Sequence, residues 1–278
     1  MELFNYLNIA HDKISAYFAK KTTKHSIADL TEIRTETFKL QAFGRILKRA
    51  GKKSSDEGQM IRLLGDNLKV SSKFIEDSIG ELLYHSEMNE NLENKSRLDE
   101  AELIFTILKV DIDQHIRWIA KSLEVISNLE LKALYLKGLT KELKKLEEAV
   151  EDINPKLLED GTHQLRRKLR WAVMHVIYPA GLFAYKEKSP KVTEFTGLVE
   201  VKGFKPIVIP FESINYLSTA VYELGEVKDE GLRANYSKTQ SELNSSKPHI
   251  IELTKKILSD LKRNKALSLL NSEIKNQI

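Results

Sequence analysis

The chain has 278 residues, 41% hydrophobic and 30% charged, with 44 lysines and arginines set against 40 aspartates and glutamates. A net charge of +4 makes any basic patch a local feature and argues against the blanket nucleic-acid binding of a strongly basic domain. There is no cysteine, which removes disulfides, thiol nucleophiles and cysteine-ligated metals together and fits a reducing compartment.

The opening Met1-Glu-Leu-Phe-Asn-Tyr6 lacks the basic and apolar regions of a secretory signal. No uncharged apolar run approaches the ~20 residues that span a bilayer. A soluble, cytoplasmic protein is expected. All six prolines lie at or after Pro155, and the stretch before it reads as amphipathic helices over roughly 2–20, 26–50, 56–91, 96–127 and 129–152. The turn at Ala50-Gly51-Lys-Lys-Ser-Ser-Asp56 supplies a C-terminal glycine and a fresh Ser/Asp cap. Asn154-Pro155 starts a sixth helix, where a missing N–H costs nothing, and that helix is predicted to run to about Tyr185.

Between 190 and 210 the character changes. Leu198-Val-Glu-Val201, Lys202-Gly203 and Phe204-Lys-Pro-Ile-Val-Ile209 predict a β-hairpin or extended loop, with Pro206 confining its arm to an edge. Helical periodicity returns from about Phe211 and breaks near Lys247-Pro248, where a last helix is predicted to start. The predicted fold is all-α, with a small hairpin-like insertion near 195–210.

The two halves echo each other, about 1–150 against 151–278. Arg34, Thr37, Gln41, Arg45 and Lys48 share one helix face beside an apolar face of Ile33, Leu40, Phe43 and Leu47. His163 to Arg170 stands in the same angular relation to Leu165, Leu169, Ala172 and Val176. Downstream, Ile79-Gly80-Glu81-Leu82 is matched by Leu224-Gly225-Glu226-Val227. The separation from Arg166 to Gly225 exceeds that from Arg34 to Gly80 by about the length of the insertion. A duplicated helical unit is expected, forming two antiparallel bundles. A mid-helix glycine costs ~1 kcal/mol relative to alanine, so each should mark the close approach of a neighbouring helix.

The densest charge lies in His163-Gln-Leu-Arg166-Arg167-Lys168-Leu-Arg170. His163, Arg166, Arg167 and Arg170 fall at i, i+3, i+4 and i+7, within one sector of a helix. Like charges so placed repel, and an anion meeting them relieves the repulsion. Arginine suits phosphate oxygens because its planar fork donates two parallel hydrogen bonds and stays charged. His163 adds a donor when protonated. Lys168 points away from this sector. A solvated basic stripe is the plainer account of the same residues.

His163-x-x-Arg166-x-x-x-Arg170 followed by Leu224-Gly225-Glu-Val-Lys-Asp229 resembles the CHAD domain, the conserved histidine α-helical domain. The likeness covers nearly the whole chain. It departs at Thr31, where the family has its histidine, at Phe38 and Gln41 in place of basic residues, and at Val173 in place of an arginine. The resemblance implies two antiparallel helical bundles with basic residues lining a central groove, and binding of inorganic polyphosphate or phosphate. It places Arg34 on the first-repeat arginine and Lys39 near that repeat's basic pair, with Arg45 and Lys48 in an opposing wall if the repeats face each other. No cofactor is implied.

Rival chemistry fails on spacing. Asp111 and His115 stand one turn apart, but no Glu-x-x-His pair recurs as di-iron bundles require. There is no Walker loop, His-Glu-x-x-His, nucleophile elbow or Rossmann fingerprint, and arginine faces without an activated nucleophile point to binding, not catalysis. RNA binding would need aromatic residues interleaved with the cations. The remaining alternative is a helical protein-interaction scaffold whose basic stripe meets an acidic partner.

Overall fold

A computed structural model describes residues 3–20, 26–90, 95–154, 158–179, 181–185, 205–237 and 240–276. Helix accounts for 84% of the described residues, so the chain is all-α. It divides into two compact units, Met1–Gly138 and Leu139–Ile278. No helix among the described residues is long and apolar enough to cross a membrane.

The first unit contains α1 (Tyr6–Ala19), α2 (Ile27–Ala50), α3 (Asp56–Glu90), α4 (Lys95–Ile126) and the start of α5 (Leu131–Glu151). These match the five expected helices to within a few residues, because each carries a continuous apolar stripe. α2 packs on α3, α3 on α4, and α1 on both α2 and α4, which closes a ring of four. Paired side chains show the antiparallel sense: Arg34 meets Glu76 and Lys48 meets Asp66 across α2 and α3, while Phe74 stacks on His115 across α3 and α4. Ser26 caps α2, its hydroxyl accepting from the Asp29 amide at 3.0 Å. The aromatic core includes Phe4, Phe43 and Tyr135, with ring centroids 5.5–5.8 Å apart.

Close backbone approach occurs at glycines other than the echoed pair. A methyl group on Gly65 would lie 2.4 Å from the Lys48 nitrogen and 2.7 Å from the Gly44 carbonyl oxygen. One on Gly44 would meet the Gly65 carbonyl oxygen at 2.7 Å. α2 and α3 therefore cross backbone to backbone. Among the described residues nothing lies within 4 Å of a methyl added at Gly80, so no close helix contact is found there. Gly51 ends α2 in extended backbone, not the left-handed form of a glycine cap. What it supplies is space, since a methyl there would sit 2.4 Å from the Gly58 carbonyl oxygen.

The second unit holds the rest of α5, a wide helical turn at Leu158–His163, α6 (Gln164–Ile177), β1 (Phe183–Tyr185), β2 (Ile207–Ile209), α7 (Phe211–Ser237), α8 (Gln240–Asn264) and α9 (Ala266–Lys275). Three expectations are corrected here. α6 ends at Ile177 and not near Tyr185: Pro179 has no N–H to return to the previous turn and its ring clashes with that turn's carbonyl. Gly181 then takes φ 82°, open to glycine but strained for other residues. The arm Ile207–Ile209 is a strand, but it pairs in parallel with Phe183–Tyr185, which a hairpin cannot do. The other expected arm, Leu198–Val201, lies outside the described residues, as does Pro155. Finally, the helix continues through Pro248 and breaks at Lys265, whose φ of 48° and ψ of 33° end α8 and begin α9.

Candidate functional site

α6 carries the expected basic face. Leu165, Leu169, Ala172 and Val176 are buried, and this fixes the opposite sector outward. His163, at the junction of the wide turn and α6, is exposed, as is Arg167; Arg166 and Arg170 are half-buried. Gly225 on α7 explains how Arg166 is seated. A methyl on Gly225 would stand 3.0 Å from Nη2, 3.2 Å from Nε and 3.3 Å from Cζ of Arg166, so the guanidinium lies against bare backbone. Arg166 Nε is buried and has no hydrogen-bond partner among the described residues. A buried donor without an acceptor costs about 1–3 kcal/mol. Glycine at 225 thus accommodates an arginine side chain, not a neighbouring helix backbone. The side chain of Asp229, the last residue of the family-like motif, lies outside those described.

In the first unit the predicted residues fall along the seam between α2 and α3. Arg34 donates from Nε and Nη2 to Glu76 Oε1 at 3.0 and 2.7 Å. Burial pushes the Glu76 carboxyl up, but the Arg34 hydrogen bond and charge, joined by Lys73, outweigh it and hold the carboxyl below its usual range. Lys39 pairs with buried Glu36 at 2.7 Å, and Lys48 with Asp66 at 2.5 Å. Thr37 and Gln41 are buried, with Gln41 Nε2 donating to the Ser72 carbonyl at 3.4 Å. Most of this face is therefore turned into α3, and Arg34, Lys39 and Lys48 already have carboxylates.

One residue that the sequence alone did not single out stands near these features. Lys69 on α3 lies at the α2–α3 crossing. The visible signal was the matched pair Gly44-Arg-Ile-Leu-Lys48 and Gly65-Asp-Asn-Leu-Lys69. His115 lies on α4. Its ring stacks on Phe74 at 4.3 Å and meets Trp118 edge-on at 4.8 Å. Its Nδ1 is buried with no partner among the described residues. No metal-holding group of three His, Asp or Glu side chains occurs among them.

Burial lowers the His115 pKa below its ordinary 6.5, with Asp111 opposing more weakly. The unfolded chain therefore binds this proton first. Stability is retained above pH 6.5 and lost as pH falls from there through the lower folded value. Urea unfolding at pH 7 and pH 5.5 should show this loss, and His115→Phe should flatten it. An equal loss in that variant would assign it elsewhere.

Compared with protein-family models, curated proteins and solved structures, the chain matches none.

Proposed function

We propose that the chain is a non-enzymatic module that binds inorganic polyphosphate or phosphate through His163, Arg166, Arg167 and Arg170 on α6. The reading is carried by Arg166, which lies on Gly225 with a buried Nε that no described acceptor meets. Phosphate oxygens complement such a group. They accept charge-assisted hydrogen bonds and neutralise cations that repel one another across a single helix turn. Arg167 and His163, both exposed, can meet successive units of an oligoanion. The likeness of His163-x-x-Arg166-x-x-x-Arg170 to the CHAD family supports the same ligand class. In the first unit Arg34, Lys39 and Lys48 are held by carboxylates, so the reading rests on α6.

Titration with long-chain polyphosphate at low salt tests this. Binding is expected, and His163→Ala combined with Arg166→Ala should weaken it by tenfold or more, as two charge-assisted contacts of about 1.5–3 kcal/mol each are lost. Absence of binding, or an affinity indifferent to both substitutions, would remove the proposal.

One observation favours a second reading, a helical protein-interaction scaffold. Leu63 and Val70 on α3, with Trp118 and Val125 opposite them on α4, are 41–69% exposed on two helices that pack together. Grouped exposed apolar side chains mark contact surfaces. A partner that survives polyphosphatase treatment and is lost with Leu63→Ser and Val125→Ser would support the scaffold.

A further inference from the structure

Exposed large apolar side chains gather along the α3–α4 seam: Met60, Leu63 and Val70 on α3, Trp118 and Val125 on α4. Leu63 and Val70 stand seven residues apart, as do Trp118 and Val125, so each pair shares a direction to within about 20°. Contacts between the helices fix which way these pairs face. Asn67 Nδ2 donates to the Trp118 carbonyl at 3.2 Å and to Ser122 Oγ at 2.6 Å, while Phe74 stacks on His115. Asn67 and Phe74 lie close in angle to Leu63 and Val70, and His115 and Ser122 lie close to Trp118, so both apolar pairs border one seam. A groove of about 470 Å³ runs beside α3 there, lined by Asp56, Gln59, Met60, Leu63, Leu64 and Asn67. The two edges of the strip differ in charge. On α3, Asp66 pairs with Lys48 and Asp77 with Lys73. On α4, Arg117 and Lys121 are exposed one turn apart, on the side of Trp118 turned away from α3. Arg117 donates to Gln114 Oε1 at 2.9 Å, and neither cation is ion-paired among the described residues.

We propose that this seam docks a single amphipathic helix of a partner protein, with its apolar stripe on Leu63, Val70, Trp118 and Val125 and an acidic flank over Arg117 and Lys121. The inference rests on the scaffold reading, names the partner's chemistry, and gives the first unit a role independent of α6. Size decides for one helix. Leu63 and Val70 span about 10 Å, two helical turns, which matches anchors at i, i+3, i+4 and i+7 of one helix in a groove. A stable pair of copies buries about 800 Å² on each, some 20 residues a side, several times what five side chains offer. Charge decides the flank. Carboxylates over α4 balance two cations that otherwise lack them, whereas the α3 edge already holds its own ion pairs. Trp118 is the central anchor, 41% exposed and edge-on to His115 at 4.8 Å. His115 is itself stacked on Phe74, so the indole is held in place before a partner arrives.

The test uses the full chain and three labelled peptides of about five helical turns, followed by fluorescence anisotropy. All carry the same leucine stripe, flanked by glutamate, by glutamine or by lysine. The glutamate peptide should bind about tenfold more tightly than the lysine peptide, with the glutamine peptide between them. Leu63→Ser with Val125→Ser should weaken its binding by about tenfold or more. The melting temperature of that variant should stay within about two degrees of the wild type, since both side chains are exposed. Arg117→Glu with Lys121→Glu, which leaves the apolar strip intact, should reverse the order so that the lysine peptide binds best. His163→Ala with Arg166→Ala should change nothing, because α6 takes no part. Emission from Trp118 should move to shorter wavelength as the peptide covers it, and Trp118→Phe should abolish that shift. Glutamate-peptide binding that survives Leu63→Ser with Val125→Ser, or that is lost with His163→Ala and Arg166→Ala, overturns the seam. Equal binding of all three peptides overturns the acidic flank. A dimer in sedimentation that Leu63→Ser with Val125→Ser breaks makes a second copy the occupant; it overturns the helix proposal and leaves the scaffold reading standing. Binding of no peptide overturns the helix proposal alone where a protein partner still depends on Leu63 and Val125, and both readings where none does.

Discussion

Gly65→Ala should destabilise the protein by about 2–4 kcal/mol, the largest loss expected from any single added methyl described here. The new Cβ would stand 2.4 Å from the Lys48 nitrogen, 2.7 Å from the Gly44 carbonyl oxygen and 3.0 Å from the Leu47 carbonyl carbon. All three are backbone atoms, which cannot swing aside as a side chain can. α2 and α3 must separate, loosening the interface that also holds Arg34 to Glu76 and Lys48 to Asp66. Alanine's better helix propensity returns only about 1 kcal/mol. The melting temperature should fall by roughly 5–10 °C. Gly80→Ala is the internal control: it meets no described atom within 4 Å and should gain up to about 1 kcal/mol. If both variants shift stability alike, the crossing is not what constrains Gly65.

Arg166→Met should weaken long-chain polyphosphate binding by about tenfold to hundredfold while leaving the fold intact. The guanidinium bonds to no described side chain, so its removal leaves no partner stranded; it also removes a buried, unmet donor. The melting temperature without ligand should therefore hold or rise. Arg166→Lys should recover only part of the affinity. A lysine keeps the charge but not the planar fork that lies along Gly225. Full recovery with lysine would show that charge alone matters at this position.

Much of the architecture was legible because helices declare themselves locally. The stripe Ile33, Leu40, Phe43, Leu47 foretold the buried face of α2, and Leu165, Leu169, Ala172, Val176 that of α6. What failed depended on partners distant in the chain or on segments too short for a period to register. Phe183–Tyr185 is three residues long and, read in isolation, continues the apolar pattern of α6. Its strand partner lies beyond residues 186–204, so no local signal could announce a parallel pair. Pro248 looked like a start because proline favours first turns, yet helix holds on both sides of it.

The site divides in the same way. Spacing alone put His163, Arg166, Arg167 and Arg170 in one sector of α6. It could not tell that Arg34 has Glu76 across the seam, 42 residues away. Nor could it tell that Arg166 has Gly225. Lys69 escaped notice because its place at the helix crossing depends on the approach of α2 at Gly44, a partner distant in the chain.

The salt dependence of long-chain polyphosphate affinity, measured on the wild-type chain at 50 and 200 mM monovalent salt, addresses the central claim most directly. Engagement of three or four phosphates by α6 should release a matching number of counterions and weaken binding by roughly 30- to 100-fold over that range. No binding at the lower salt, or an affinity that does not change between the two, would contradict the assignment of this helix to an oligoanion.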